Sequence, residues 1–196
     1  NITVSAFPFE KTINDFDFSY QPSIDRNEIL DLETLRFMEN NENIIFMGSS
    51  GVGKTHLAVG IGMAAARKRI STYYITFNDL INQLIKANSE NRADIKIKYF
   101  CKYKLLIIDE IGYLPITKEG AYLFFQLINK RYEKKSTILT TNQMFSKWPE
   151  VFGDSVVTNA IIDRLVHHAH IIKVKGQSYR IKDKKAEIQN NVGKDD

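Results

Sequence analysis

Short apolar runs and helical periodicities alternate along this chain, which is the pattern of an α/β protein. Apolar or β-branched runs at residues 43–47, 71–77, 105–108, 136–141 and 169–174 predict five strands. The first and third of these runs are nearly unbroken in apolar residues, as in parallel strands that are buried on both faces. We therefore expect a five-stranded parallel sheet between two layers of helices.

Apolar residues that recur every three to four positions predict the helices between these strands. The first helix should begin at Ser23 or Asp25, both capping residues, and continue to Asn40. A short helix ending near Lys102 should turn Ile95 inward. The other expected helices cover about 54–69, 78–87, 118–135 and 159–168, with a short irregular or helical piece at 145–153.

Composition bounds the kind of protein but does not give its function. At 196 residues, with 43% hydrophobic and 26% charged residues, the chain has the size and balance of one soluble globular domain. The single cysteine, Cys101, excludes an internal disulfide and a thiolate metal site. With no bilayer-length apolar run and no visible signal peptide, we expect a cytoplasmic protein without a membrane partner. The chain begins at Asn1, so we expect a piece of a longer protein, and its net charge of +4 is compatible with nucleic acid.

The strongest chemical signal lies between the first strand and the helix that follows it. Gly48 stands four residues before Gly53, Lys54 and Thr55, which is the spacing of a phosphate-binding loop. Backbone N–H groups at the helix start would face phosphates, Lys54 would add a positive charge, and the Thr55 hydroxyl would ligate Mg²⁺. The alternative, a glycine-rich turn that precedes a lysine by chance, is disfavoured by the flanking strand and helix. The expected nucleotide-binding residues of this segment are Gly48, Ser49, Ser50, Gly51, Val52, Gly53, Lys54, Thr55 and His56.

A second signal stands at the end of the third strand, where Asp109 and Glu110 follow four apolar residues. Ligands of open α/β sheets bind at the carboxyl ends of the strands, which is also where the glycine-rich loop lies. Asp109 is therefore expected to bind the nucleotide and hold Mg²⁺ together with Thr55. Glu110 is expected to orient or deprotonate an attacking water. The alternative for this pair is two acids that begin a surface loop.

Four further sets of residues have both a functional and a plain structural interpretation. Asn142, at the end of the fourth strand, would reach a γ-phosphate or lytic water, or would cap a turn. The aromatic segment at 6–22 would border the base of a nucleotide, or Phe16 and Phe18 would simply plug the core. Basic residues near 96–104 form either a solvated face or a face that contacts DNA. The histidines at 167, 168 and 170 resemble a metal cluster, but no carboxylate or cysteine lies at ligand spacing, so we expect no metal there.

With these residues in place, the chain resembles the AAA+ ATPases, and more closely the IstB-like transposition helper family. DnaC-type helicase loaders share the same ATPase core. The resemblance implies a P-loop NTPase fold of the AAA+ (ASCE) class with a helical lid that is absent or minimal, and a separate N-terminal domain before this chain. It implies an extended strap at 1–22, the ATPase domain at 23–185 and a charged, frayed tail from about 181, flexible over 186–196. The strings that carry the resemblance are Phe7-Pro-Phe-Glu-Lys-Thr12, Asp15-Phe-Asp-Phe18, Ile111-Gly-Tyr-Leu-Pro115, Thr140-Thr-Asn-Gln143 and Ser178-Tyr-Arg180.

The resemblance also implies roles for individual residues. Gly48–Thr55 matches the Walker A loop, and Asp109 with Glu110 matches Walker B, Glu110 being the catalytic base. Asn142 matches sensor 1. Arg164 falls where the family places an arginine finger for a neighbouring subunit, and Arg180 matches sensor 2, acting in cis. An ion pair with a nearby acid is the alternative for each arginine.

The implied function is hydrolysis of ATP·Mg²⁺ by a homo-oligomer that assembles on double-stranded DNA without sequence preference. It would assist the transposase of the same insertion element in choosing a target. One rival is a helicase loader, and another is a small-molecule phosphotransferase, against which the Glu110 and Asn142 pattern argues because it suits water activation. The candidate DNA contacts are Lys96, Lys98, Lys102, Lys182, Lys184 and Lys185.

Overall fold

One sheet of five parallel strands forms the centre of the molecule, in the order β2-β3-β4-β1-β5. The computed structural model describes residues 5–176 and 178–192. Because all neighbouring strands are parallel, every connection crosses over a face of the sheet, as the alternation of strands and helices predicted. The α/β class and the five strands are confirmed: β1 (Asn43–Gly48), β2 (Thr72–Thr76), β3 (Leu105–Ile111), β4 (Ser136–Thr141) and β5 (Ala169–Val174).

Helices cover both faces of the sheet, which gives the three expected layers. Ile45 and Phe46 are consecutive in β1, fully buried, and belong to two separate core clusters, since neighbouring strand residues point to opposite faces. The first two helices and the N-terminal segment pack on the Phe46 face, and the third to seventh helices pack on the Ile45 face. The helices are α1 (Arg26–Glu33), α2 (Lys54–Arg67), α3 (Phe77–Ser89), α4 (Ala93–Cys101), α5 (Lys118–Arg131), α6 (Trp148–Phe152), α7 (Ser155–Val166) and α8 (Tyr179–Val192).

The first predicted helix is wrong in length, because the chain leaves the helix after Glu33. Leu35 takes a left-handed conformation with φ of 69°, and a short 3₁₀ helix, Arg36–Asn40, follows it. Leu35 and Phe37 are both buried in the same core cluster. Residues two apart do not share a face of an α-helix, so the break allows both side chains to reach the core.

Two other predicted details are wrong. Ile95 is 60% exposed, because α4 turns Ile97 and Phe100 into the core instead. The segment from Ile181, predicted as a frayed tail, is helical as part of α8 up to Val192, while 193–196 lie outside the described residues. Polar residues dominate this segment, and its few apolar residues, such as Ile181 and Ile188, give only a weak helical periodicity. None of the helices in the described ranges is long and apolar enough to cross a membrane.

The start of α8 is attached to the N-terminal segment, which we call the strap (residues 5–22). The Lys182 ammonium donates to the Asp17 carboxylate at 2.7 Å, and the Tyr179 hydroxyl donates to the Asp17 carbonyl at 2.8 Å. The Tyr20 hydroxyl donates to the carbonyl of Ser178 at 3.1 Å. The Lys182 hydrogen bond, helped by Ser19, lowers the pKa of Asp17 to about 2. These hydrogen bonds therefore join the strap to α8 next to the glycine-rich loop.

Candidate nucleotide-binding site

The glycine-rich loop lies at the carboxyl edge of the sheet and is confined from two directions. Gly53 has φ of +99°, and a Cβ there would lie 2.5 Å from the ring of Phe16 in the strap. A Cβ on Gly48 would lie 2.2 Å from the carbonyl oxygen of Val174 in β5. Contacts this close leave no room for a side chain at either position. The loop is thus held in a narrow backbone geometry, as phosphate binding requires.

Lys54 begins α2 and is buried, with only 4% of its surface exposed. Its Nζ donates to the carbonyl oxygens of Gly48 and Ser49, at 2.7 Å each. Burial lowers the pKa of Lys54 to about 8, although the charges of Asp109 and Glu110 act in the opposite direction. A desolvated cation at a helix N-terminus, where the dipole is also positive, favours the approach of an anion.

Asp109 is held rigidly beside this loop by three hydroxyl groups. The Thr55 hydroxyl lies 3.0 Å from both carboxylate oxygens, and the Tyr74 hydroxyl donates to Oδ2 at 2.6 Å. The Thr140 hydroxyl donates to Oδ1. Asp109 is only 1% exposed, and burial together with this carboxylate raises the pKa of Tyr74. Thr55 and Asp109, the two residues predicted to hold Mg²⁺, are therefore in direct contact.

Glu110 points away from Asp109 because the backbone of β3 changes direction between them. Its φ is 64°, a left-handed value, and the pairing of β3 with β4 shifts register between Ile108 and Ile111. The Glu110 N–H donates to the Thr140 hydroxyl at 2.8 Å instead of continuing the ladder. Burial and the neighbouring Asp109 raise the pKa of Glu110, while Arg180 and Lys54 lower it. This bulge places the Glu110 carboxylate in the cavity next to the loop.

A cavity of about 460 Å³ joins the loop, Glu110 and the strap. This volume is typical of small-molecule sites. Its far end is formed by Phe9 and Lys11 of the strap and by His56, whose Nε2 lies 2.8 Å from the Thr12 carbonyl oxygen. Burial is the main cause that lowers the pKa of His56. A concavity of similar volume, about 480 Å³, lies elsewhere among four lysines, but no glycine-rich loop or carboxylate pair borders it.

The three remaining candidates for catalysis are placed differently from one another. Arg180, in the first turn of α8, lines the same cavity as Glu110. Asn142 follows β4 next to Gly112, and its buried Oδ1 has no hydrogen-bond partner within the described ranges. Within the described residues, Asn142 does not line this cavity.

Arg164 lies in the last turn of α7, near the amino end of β1 and not near its carboxyl end. Its Nε donates to Asn129 Oδ1 at 2.7 Å, and its guanidinium packs on the ring of Phe125, 5.2 Å from the centroid. The adjacent Leu165 carbonyl accepts from Asn43, the first residue of β1, whereas the loop follows the last residue of β1. Arg164 is therefore separated from its own loop by the length of a strand.

The candidate DNA contacts do not form a single surface. The ammonium groups of Lys96 and Lys102 lie over the ring of Tyr99, 5.0 and 4.1 Å from its centroid, and Lys98 is exposed on the same helix. Lys184 and Lys185 are exposed on α8. Lys182 instead pairs with Asp17, which counts against a role in DNA contact.

No metal was expected among the histidines because no carboxylate lies at ligand spacing from them in the sequence, but the fold brings one close to two of them. His170 pairs with Glu42, but His167 and His168 lie within 3.7 and 3.5 Å of the Glu133 carboxylate. Glu133 is more than thirty residues away along the chain, so spacing in the sequence could not bring it to notice. The three residues form a group with the composition of a metal site.

Sequence reasoning also missed the residues that support Asp109. Tyr74 and Thr140 belong to β2 and β4, the two neighbours of β3, and both reach Asp109 across the sheet. Both strands mix polar with apolar residues, so the available signal was weak. It could be interpreted only with the strand order, which places both strands beside β3.

This chain is similar to known proteins along nearly its whole length. A sequence model of the family described as IstB-like ATP binding protein matches residues 1–187. The insertion sequence IS232 putative ATP-binding protein of Bacillus thuringiensis subsp. berliner is 59% identical over 93% of this chain and 73% of its own. The insertion sequence IS5376 putative ATP-binding protein of Geobacillus stearothermophilus is 47% identical over 99% of this chain and 76% of its own. The crystal structure of the DnaC helicase loader is similar in fold, with a TM-score of 0.68 at 23% identity over 84% of this chain and 96% of its own.

Proposed function

Because this chain belongs to the family of IstB-like ATP-binding proteins, we propose that it hydrolyses ATP and acts on DNA during transposition. One observation supports hydrolysis above all: Glu110 is turned into the same cavity as Lys54 and Thr55 by the bulge in β3. A protein that only binds a nucleotide has no need of a carboxylate there that forms no ion pair with the described residues. A raised pKa also suits Glu110 to accept a proton from water.

The residues present suit a magnesium ion. Thr55 and Asp109 are oxygen donors in direct contact, as expected for a hydroxyl and a carboxylate that share a hard cation. When bound, the ion would neutralise charge on the phosphates. Tyr74 and Thr140 orient the Asp109 carboxylate toward Thr55, so both donors are positioned before any ion arrives.

We propose that the site is completed by a second copy of this chain. Arg180 lines the cavity of its own chain and is suited to reach the γ-phosphate in cis. Arg164 lies about a strand length away from that cavity, which supports a role toward the nucleotide of a neighbouring subunit. Its contacts with Asn129 and Phe125 hold the guanidinium at the molecular surface, with 31% of the side chain exposed. Asn142 would position the water once a nucleotide is bound.

Arg164→Ala is expected to lose ATP turnover and to regain it when mixed with Glu110→Gln subunits. In the mixture, the intact Glu110 of one subunit would meet the intact Arg164 of the other. Arginine fingers of GTPases contribute about 10³–10⁵ in rate, which sets the scale of the loss. Phosphate release is measured across mixing ratios, with Arg36→Ala as a control because Arg36 forms an exposed surface pair with Asp31. Turnover that stays absent at every ratio would remove the trans role.

Nucleotide affinity is expected to fall as the pH rises above about 8, the pKa of Lys54 in the free protein. Phosphate oxygens favour the charged ammonium, so the pKa of Lys54 should be higher in the complex. Binding then takes up a proton between the two values, and affinity weakens through that range. Calorimetry from pH 7 to 9.5 measures this trend. Lys54→Arg is the matched control, since arginine stays charged and should bind without the trend; an identical trend in both would assign it to another group.

Assistance to a transposase is supported by the relatives, whose names place them in insertion sequences. DNA contact would run through phosphates. The candidates are Lys96 and Lys98 on α4, Lys102 just after it, and Lys184 and Lys185 on α8. We retain the strap over residues 1–22 and the ATPase core from residue 23 as the proposed organisation. In this organisation the strap borders the base end of the cavity.

The proposed function is tested by measuring the ATPase rate against protein concentration, with and without duplex DNA. The rate per subunit should rise with concentration and with DNA, and the DNA effect should weaken steeply with salt. A rate independent of both, or a phosphorylated small-molecule product without free phosphate, would contradict it. A helicase loader is the second candidate, favoured by the likeness in fold to DnaC. Pull-down with a transposase or with a replicative helicase separates the two.

A further inference from the structure

The turn after α5 and the turn between α7 and β5 meet at a group of three metal-ligating side chains. Glu133 Oε1 lies 3.7 Å from Nδ1 of His167 and 3.5 Å from Nε2 of His168. One ligand atom from each residue can be chosen so that all lie within 4.8 Å of one another. The group lies near Arg164 and takes no part in the cavity at the glycine-rich loop.

The backbone of Glu133 and the ring of His167 are restrained before any ligand arrives. Glu133 has φ of 59°, and Asn41 Nδ2 donates to its carbonyl oxygen at 2.9 Å, which fixes the turn. The Tyr132 ring stacks on His167 at 5.8 Å, and its hydroxyl bonds Nδ1 of that histidine. The two imidazole rings lie 4.1 Å apart. Two nitrogen donors and one carboxylate are therefore close enough to share one ion.

We propose that Glu133, His167 and His168 bind one divalent transition-metal ion, with Zn²⁺ as the best match. Two imidazoles and a carboxylate form a donor set typical of zinc, whereas Mg²⁺ and Ca²⁺ prefer oxygen donors. The three side chains are between 45% and 54% exposed, so water completes the coordination. The ion links two segments that are distant in sequence, which makes it a structural tie between α5 and the end of α7.

Binding of the metal ion would break one hydrogen bond of this structure. An ion on Nδ1 of His167 displaces the hydrogen bond from the Tyr132 hydroxyl, and both imidazoles must be neutral. Asp163 and Arg164 are the nearest charged groups on α7, at the surface beside the cluster. No electron transfer or covalent step is involved. Because two of the ligands are adjacent in sequence, the unfolded chain keeps only a partial site, and binding favours the folded state.

The test is a titration of the metal-free full chain, without a histidine tag, with Zn²⁺ and separately with Co²⁺. Excess Mg²⁺ is present so that the transition metal does not occupy the site at Thr55 and Asp109, and Asp109→Asn serves as a second check on that site. One equivalent should bind, the thermal unfolding midpoint should rise, and Co²⁺ should give visible absorption bands of nitrogen and oxygen coordination.

Three variants decide the assignment: Glu133→Gln, His167→Gln and His168→Gln. Each should weaken Zn²⁺ binding by about tenfold or more, because loss of a direct ligand should cost at least as much as loss of a supporting contact. His170→Gln is the matched control, since His170 pairs with Glu42 and lies outside the group. Without metal, unchanged unfolding midpoints show that the variants fold. One equivalent bound equally by all three variants, or no binding tighter than about 100 µM to the parent chain, would overturn the proposal.

Discussion

Glu110→Gln is expected to keep ATP bound and to lose its hydrolysis. Glutamine has nearly the same shape, so the bulge that turns this residue into the cavity should persist. The amide cannot accept a proton from water, and general-base catalysis contributes roughly 10²–10⁴ in rate. The substitution also removes a negative charge beside Asp109, whose repulsion helps to raise the pKa of Glu110. With one negative charge fewer in the cavity, the binding of ATP should not weaken.

The measurement pairs nucleotide affinity with phosphate release on the same preparation. Glu150→Gln is a suitable control, because Glu150 is an exposed acid on α6 whose only ion pair in the described ranges is a loose one with Lys147, at 3.6 Å. Affinity within a few-fold of the parent chain, with turnover lost, supports the role of base. Normal turnover in Glu110→Gln would remove Glu110 from that role and would point to Asp109 or to a residue of a neighbouring subunit.

Lys54→Ala is expected to abolish useful nucleotide binding. Lys54 is the buried cation at the mouth of the loop, and charge-assisted hydrogen bonds each contribute about 1.5–3 kcal/mol. Loss of two such bonds to phosphates would weaken binding by roughly a hundredfold or more. The fold should survive, because the substitution removes a desolvated charge that burial already disfavours, as its lowered pKa shows.

Calorimetry or a fluorescent ATP analogue measures this loss, and the unfolding midpoint confirms that the variant folds. Lys118→Ala is a suitable control, since Lys118 is exposed at the start of α5. An unchanged ATP affinity in Lys54→Ala would count strongly against the loop as a phosphate site. The two variants together separate binding from chemistry: Lys54→Ala should lose both, whereas Glu110→Gln should lose only turnover.

The strap and α8 show how far sequence reasoning reached outside the sheet. The aromatic segment was expected either to plug the core or to border a nucleotide, and the structure supports parts of both interpretations. Phe16 is 5% exposed and packs against Gly53, while Phe9 and Lys11 line the cavity. The α8 helix was missed because its apolar residues are few, and its contacts with the strap, such as Lys182 with Asp17, join residues 165 positions apart.

Local spacing was enough to determine the sheet, the glycine-rich loop and the identity of its acidic partners. The five strands are short apolar or β-branched runs, and the loop between β1 and α2 is a contiguous motif, so both follow from neighbouring residues. The rule that ligands bind at the carboxyl ends of strands then brought Asp109 to Thr55 correctly. These features follow from sequence because few alternative arrangements are compatible with them.

Only the tertiary structure decided how the side chains at the two edges of the sheet are arranged. The bulge that separates Glu110 from Asp109 depends on the register with β4, and the support from Tyr74 and Thr140 depends on strand order. The meeting of Glu133 with the histidines depends on how α5 and α7 pack. Each of these contacts joins residues about thirty or more positions apart, and their geometry is set by backbone pairing and helix packing. No period or spacing in the sequence encodes such a contact, which is why these side-chain arrangements could not be predicted from it.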